Sequence, residues 1–192
     1  MLQNNGADVA QHSTCQIKFV SDEQHHELQR DIGAVQENFE RMRRSCTSGK
    51  TFRFNGPMAY NMVQALADFH PEYRCIDETL YDNDAYEAAC TVSFGQMKKG
   101  GSFHTHPGAI DGLTQSGGFI MNANEKTNLQ AEVFVNHGWD SFQIFELIRD
   151  DCQYKTHVRM EPAKDKQWKG DIVVFMDDRI VASIKGVCVS PA

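Results

Sequence analysis

Residues 106–122 read HPGAIDGLTQSGGFIMN. Small and apolar residues dominate it from Ile110 onward, which predicts a helix over residues 110–122. Its Gly117-Gly118 pair indicates that another part of the chain approaches the helix closely. The residues that follow predict successive strands at 132–139, 141–146, 154–160, 171–176 and 180–189, with a tight turn at Asp177-Asp178.

The chain before this stretch predicts mainly helices. Residues 16–20 alternate briefly and predict a short strand, and apolar residues then recur every three or four positions from Leu28 to Met42. That spacing predicts one long amphipathic helix beginning near Ser21. A second helix is predicted between Pro57 and Pro71, and residues 88–94 predict a strand. Helices followed by a long antiparallel run predict an α+β fold, with the sheet covered on one face by a helix.

The composition excludes several classes of protein. The chain has 192 residues, which suits one domain at 14–192 after a flexible N-terminus at 1–13. Its formal net charge of −7 and the lack of a basic block exclude a non-specific nucleic-acid binder. No apolar run approaches the roughly 18 residues of a membrane span. The six cysteines are scattered and no secretory signal is evident, which predicts free thiols, a cytoplasmic location and no zinc site.

Side chains that can carry chemistry cluster around the start of the predicted helix. His104 and His106 lie on the same side of an extended segment and could bind a metal, although no third ligand is evident. Asp111 suits either a helix-dipole residue or an active-site carboxylate. Thr114 follows one turn later on the same face, and Gln115 lies four residues after Asp111.

A second group lies on the predicted strand at 132–139. Asn136 and His137 either bond to backbone near a bulge at Gly138 or face a pocket together with Asp111. The sequence contains no GxSxG nucleophile elbow and no glycine-rich nucleotide loop. Neither an α/β-hydrolase nor a nucleotide-binding protein is therefore indicated.

Several ordered motifs resemble the product-template domain of fungal non-reducing polyketide synthases. They are HPGAIDGLTQSGGFIMN, EVFVNHGWDSFQ, PMAYNMVQALADFHPEYR, YEAACTVSF and DIVVFMDDRIVASIKGVCV, and together they extend from about Cys15 to Val189. That family has a double hotdog fold, in which each half wraps a sheet around a central helix. The chain resembles the second half with the strand and long helix that precede it. The resemblance therefore implies a single hotdog with extra N-terminal helices.

The resemblance also implies roles for individual residues. In the family, a histidine of the first half is the general base and an aspartate on the second-half helix partners it. Asp111 matches that aspartate in a D-x-x-x-x-x-G-G-F setting. Thr114 and Asn136 match polar positions of the family pocket, where donors can polarise a substrate oxygen. His104 and His137 fit the family's usual sequence.

The chain has no counterpart of the first half and its histidine, so we expect another base. His106 is the first candidate because only four residues separate it from Asp111. Asp111 and His106 are therefore the predicted catalytic residues. The predicted substrate-binding residues are Thr114, Asn136, His104, His137 and Gln115.

The sequence is compatible with three functions. The first is a free-standing cyclase or dehydratase that uses acid/base chemistry at Asp111 on a polyketide-like intermediate, free or carrier-bound. The second is a pericyclase, for example a Diels–Alder catalyst, that only orients its substrate. The third is a non-catalytic binding module. No cofactor is implied, and a homodimer is expected because a lone hotdog exposes a sheet edge.

Overall fold

The computed structural model describes residues 16–18, 21–97 and 100–192. Its described strands form one eight-stranded sheet in the order β1-β2-β3-β6-β7-β8-β4, and β5 also pairs with β8. All of these pairings are antiparallel. The strands are β1 Phe52–Asn55, β2 Ile76–Asp82, β3 Glu87–Ser93, β4 Phe134–Gly138, β5 Ser141–Ile144, β6 Gln153–Pro162, β7 Trp168–Met176 and β8 Arg179–Pro191.

The sheet wraps around one buried helix. The helices are α1 Asp22–Gln29, α2 Ile32–Ser45, α3 Gly56–Met62 and α4 Pro107–Asn122, and α4 is the central one. Leu113 and Ile120 on α4 are fully buried, and the helix packs against β3, β6 and β7. The predicted α+β class and single hotdog, an antiparallel sheet around a central helix with extra N-terminal helices, are confirmed.

Helix α4 begins earlier than residue 110, because Pro107 occupies its first turn and His106 caps it. The close approach also lies elsewhere than at Gly117-Gly118. A Cβ at Gly118 would meet nothing within 4 Å, whereas one at Gly112 would lie 2.8 Å from the Cβ of Cys75. At Gly112 the helix therefore lies too close to Cys75 for a side chain, whereas a Cβ at Gly117 would lie at an ordinary 3.5 Å from Val187.

The opposite face of the sheet is covered by α2. Phe39 and Met42 of this helix pack on Leu80, Phe175 and Ile180. The ring of Phe39 meets that of Phe175 edge-on, with 5.8 Å between centroids. The sheet consequently has a helix on each face.

The single long helix predicted from Ser21 is divided into α1 and α2. The side-chain amide of Gln29 donates to the backbone oxygen of Ile180 at 2.6 Å and accepts from its backbone nitrogen at 3.0 Å. These bonds fix the end of α1 to β8, and the chain turns at Arg30 and Asp31 before α2 begins.

The other predicted elements agree in part. The last five predicted strands are confirmed with shifted ends, and the Asp177-Asp178 turn joins β7 to β8. The helix predicted up to Pro71 ends at Met62, and strands β1 and β2 were not predicted. Residues 16–18 are not in a strand, while residues 19–20 and the predicted flexible terminus 1–13 lie outside the described residues.

Candidate active site

The carboxylate of Asp111 lies near the start of α4 and is half buried. Its Oδ2 accepts a hydrogen bond of 2.8 Å from Nε2 of Gln115, one turn further along the helix. Burial raises the pKa of Asp111, and the Gln115 hydrogen bond partly offsets this rise. No described residue hydrogen-bonds to Oδ1, so one oxygen of the carboxylate is held while the other is free.

Gln115 is itself held by two neighbours. Its Nε2 also donates to the backbone oxygen of Tyr73 at 2.9 Å, and its Oε1 accepts from the hydroxyl of Tyr60 at 2.7 Å. Gln115 is buried, and both hydrogens of its amide are used within the protein. The amide therefore has no hydrogen left to offer a substrate.

Tyr60 and Cys75 complete the surroundings of Asp111. Burial raises the pKa of Tyr60 well above its usual range, and its hydroxyl accepts a hydrogen bond of 3.1 Å from the backbone nitrogen of Ile76. Burial and the nearby charge of Asp111 raise the pKa of the Cys75 thiol to about 11. Both groups are therefore neutral at physiological pH, and Cys75 is not an activated nucleophile.

His106 caps α4. Its Nδ1 accepts a hydrogen bond of 3.0 Å from the backbone nitrogen of Gly108. The imidazole hydrogen of a neutral ring must then lie on Nε2, which makes Nε2 a donor. In this arrangement His106 is suited to donate to a substrate oxygen and not to remove a proton.

A cleft of about 520 Å³ opens beside the start of α4. His104 and His106 line it, together with the apolar side chains of Met97, Phe103 and Leu147. Its size suits a small-molecule site. Asp111 does not line this cleft, so the structure does not bring the two predicted catalytic side chains to the same wall.

The remaining predicted residues lie in separate places. The Thr114 hydroxyl is turned back to its own helix and donates to the backbone oxygen of Asp111 at 2.9 Å. Asn136 and His137 are exposed on β4, where Oδ1 of Asn136 accepts from the nitrogen of Gly138 and the His137 ring bonds to Ser190. His104 is exposed and contacts Thr105.

Metal sites and membrane-spanning helices concern residues 16–18, 21–97 and 100–192 only. This part of the chain contains no group of three or more His, Cys, Asp or Glu side chains that could hold a metal ion. Within the same residues, no helix combines the length and the apolar character that crossing a bilayer requires.

Tyr60, the Tyr73 carbonyl and Cys75 were missed by the sequence analysis. Each reaches the site from a segment far from α4 in sequence, and Tyr60 lies 55 residues before Gln115. No local pattern marks such a contact. The spacing of Asp111 and Gln115, in contrast, already predicts that their side chains meet on a helix.

The comparisons with known proteins agree with this fold. A family model described as "Polyketide synthase dehydratase N-terminal domain" matches residues 54–192. Non-reducing polyketide synthase VdtA of Byssochlamys spectabilis is 60% identical over 188 residues, which cover 98% of this chain and 8% of that protein. The chain thus spans a small part of the curated relatives it matches. The predicted resemblance to fungal non-reducing polyketide synthases is confirmed.

Solved dehydratase domains share the fold. The one from the CurJ module of curacin polyketide synthase has a TM-score of 0.60 at 18% identity, covering 76% of this chain and 51% of that one. The dehydratase domain of PpsC from Mycobacterium tuberculosis, solved with C12:1-CoA, has a TM-score of 0.59 at 14% identity, covering 74% and 53%. The chain matches about half of each domain. The family description names an N-terminal domain, and the assignment to a second hotdog half stays a prediction.

Proposed function

The chain belongs to the polyketide synthase dehydratase family, and from that membership we propose that it acts as a cyclase or dehydratase on a polyketide-derived intermediate. Asp111 is the acid/base group in this proposal. The observation that carries it is the Asp111 carboxylate itself, which is half buried at the start of the central helix. Gln115 bonds to its Oδ2, and none of the described residues bonds to its Oδ1. Burial of a carboxyl group is one way in which proteins keep it able to exchange a proton near neutral pH.

The chemistry requires a base and an acid. A base removes a proton from the carbon between two carbonyl groups, and the resulting enolate carbon forms a bond with a carbonyl carbon of the same molecule. Protonated Asp111 gives its proton to the alkoxide oxygen that forms. In dehydration the same proton goes to the hydroxyl group, which leaves as water after the α proton has been removed.

We assign the base to a second hotdog unit and keep His106 as a hydrogen-bond donor. The capping bond to Gly108 occupies the Nδ1 lone pair of His106, which argues against that ring as the base. Solved dehydratase domains of about twice the matched length support a second unit. When this chain is alone, we expect a second copy to take that place. Light scattering should give twice the 21.7 kDa of one chain, and a stable monomer would contradict it.

We place the unreacting part of the substrate in the cleft beside His106. Part of its wall, at Met97, Phe103 and Leu147, is apolar and suits the apolar faces of a polyketide chain, and the charged residues Arg149, Asp150 and Asp151 line another part. The PpsC domain was solved with C12:1-CoA, which favours an acyl thioester as the form of the substrate. Substrate contacts for His104, Thr114, Asn136 and His137 stay predictions, whereas we reassign Gln115 to holding Asp111.

The direct test is turnover of defined thioesters by the purified homodimer, in which the second copy supplies the base. A β-hydroxyacyl thioester reports dehydration, and a linear poly-β-keto thioester reports aldol cyclisation. We expect Asp111→Asn to lower the rate by at least ~100-fold, the usual contribution of a general acid or base. Asp178→Asn is the matched control, because Asp178 is exposed in the β7–β8 turn. Equal rates in wild type and Asp111→Asn would overturn the proposal.

A pericyclase is the second candidate. It is favoured by the finding that no histidine among the described residues hydrogen-bonds to Asp111. Such an enzyme would need only the cleft and a few donors for orientation. A rate that is independent of pH and falls only slightly in Asp111→Asn would select it. A chain that binds these thioesters but converts none of them would be a binding module.

A further inference from the structure

The orientation of the Gln115 side-chain amide is set by three hydrogen bonds. A carbonyl oxygen, that of Tyr73, can only accept, so the nitrogen of the amide must face it. Turning the amide over would place Oε1 against the Tyr73 oxygen and against Oδ2 of Asp111. It would also point the amide nitrogen at the Tyr60 hydroxyl.

Tyr60 reinforces this orientation because its own hydrogen has one good destination. Its oxygen already accepts from the nitrogen of Ile76 at 3.1 Å. The hydroxyl hydrogen can then go to Oε1 of Gln115 at 2.7 Å or to the Tyr73 oxygen at 3.3 Å, and the shorter contact is the stronger one. Since burial keeps the hydroxyl protonated at neutral pH, Tyr60 is a permanent donor to Gln115.

The consequence reaches Asp111. Gln115 presents only a donor to Oδ2, so Oδ2 must accept a hydrogen bond whether Asp111 is charged or neutral. A proton on Oδ2 would turn that oxygen into a hydroxyl, which is a weaker acceptor for the amide than the carbonyl oxygen that remains at Oδ2 when the proton is on Oδ1. The Cys75 thiol also lies near the carboxylate, and it is neutral at physiological pH.

We propose that Tyr60 is a positioning residue that acts through Gln115, so that Asp111 takes up and releases its proton preferentially at Oδ1. This inference deepens the proposed function and rests on it for its catalytic meaning. The structural part of the inference can be tested without turnover. The two oxygens of Asp111 differ because Tyr60 on α3 holds the Gln115 amide against Oδ2.

The first test uses the unaltered chain and nuclear magnetic resonance. The side-chain carboxyl carbon of Asp111 and the side-chain amide protons of Gln115 are followed together through an acid titration. With the proton on Oδ1, the Gln115 amide proton keeps its hydrogen-bonded chemical shift while Asp111 becomes protonated. If that resonance moves to the position of a free amide with the same midpoint, protonation occurs at Oδ2 and the proposal is overturned.

The second test removes the Tyr60 hydroxyl. In Tyr60→Phe the Gln115 amide is held less firmly, so its bond to Asp111 weakens and the titration midpoint of Asp111 moves upward. Tyr86→Phe is the matched control, because Tyr86 contacts the ring of Trp168 and lies with Met121 at the other end of α4. Equal midpoints in wild type, Tyr60→Phe and Tyr86→Phe would refute the positioning role. If Tyr60→Phe does not fold, the titration of the unaltered chain still decides.

These measurements separate two kinds of failure. If the proposed function is wrong, turnover will be the same in Asp111→Asn as in wild type, while the Gln115 resonance could still behave as described. Failure of the Tyr60 inference would appear in the resonances even if Asp111→Asn were inactive.

Discussion

Nε2 of His157 donates a hydrogen bond of 2.7 Å to Oε1 of Glu87, across the ladder between β6 and β3. Arg41 of α2 bonds to the same oxygen, so a buried carboxylate joins the helix to the outer face of the sheet. Burial by itself would raise the pKa of Glu87. The hydrogen bonds and charges of His157 and Arg41 outweigh this effect and lower the pKa from 4.5 to about 2.

We predict that this carboxylate makes the fold sensitive to acid. Between pH 4.5 and about 2 the unfolded chain binds a proton at Glu87 that the folded chain does not, so stability falls as the pH decreases through this window. Glu87→Gln should lose ~3 kcal/mol at pH 7 and little at pH 2, as measured by urea unfolding. Glu161→Gln is the control because Glu161 is exposed on β6. The same loss at both pH values would contradict the charge-based account.

Two glycines of α4 should respond in opposite directions to alanine. Gly112→Ala places a Cβ 2.8 Å from that of Cys75 and 3.0 Å from the ring of Phe94, and should destabilise the fold by about 1–3 kcal/mol. Gly118→Ala meets nothing within 4 Å and should stabilise it by about 0.5–1 kcal/mol through helix propensity. Thermal unfolding of both variants checks this. Equal effects would mean that α4 does not approach Cys75 as described.

The two roles of His106 can be separated by the choice of replacement. His106→Ala removes the cap of α4 and should cost about 1 kcal/mol, whereas His106→Asn keeps a capping oxygen and should cost much less. Both variants lose the imidazole. If the rate falls equally in both variants, His106 takes part in the reaction. If the rate falls only in the less stable His106→Ala, the role of His106 is to cap α4.

Asp111 should reduce stability at neutral pH. Its folded pKa is raised by burial, so the folded chain holds the proton more tightly and stability falls as the pH rises past the pKa of the unfolded chain. Asp111→Asn should therefore be more stable than wild type at pH 7, with the gain shrinking towards pH 3. Urea unfolding at both pH values measures this. If Asp111→Asn is less stable than wild type at pH 7, burial does not destabilise the charged carboxylate.

The parts of the fold that could be predicted from sequence are those with local causes. The run of small and apolar residues from Ile110 onward predicts α4 except for its first turn, and the turn at Asp177-Asp178 predicts the hairpin of β7 and β8. Strand β2 is not evident from its sequence IDETLYD, because it carries three acidic residues and its buried residues do not alternate with exposed ones. The break between α1 and α2 depends on Gln29 meeting Ile180, which lies 151 residues away.

The candidate site divides in the same way. Helical spacing predicts that the side chains of Asp111 and Gln115 meet, and the resemblance to the polyketide synthase family indicates that Asp111 is an active-site residue. The capping role of His106 competes with its predicted catalytic role, because the residue before Pro107 is also the natural cap of the helix. Tyr60 could not be predicted, since it depends on how α3 packs beside α4.

The helix on the outer face of the sheet has a practical consequence for any shortened form of the protein. The family match begins at residue 54. Phe39 and Met42 of α2 precede this residue in the sequence, yet they cover Leu80, Phe175 and Ile180 of the sheet. A fragment cut at residue 54 would present this apolar face to water and would lose the Arg41 partner of Glu87. We expect such a fragment to aggregate, so expression trials should start upstream of α1.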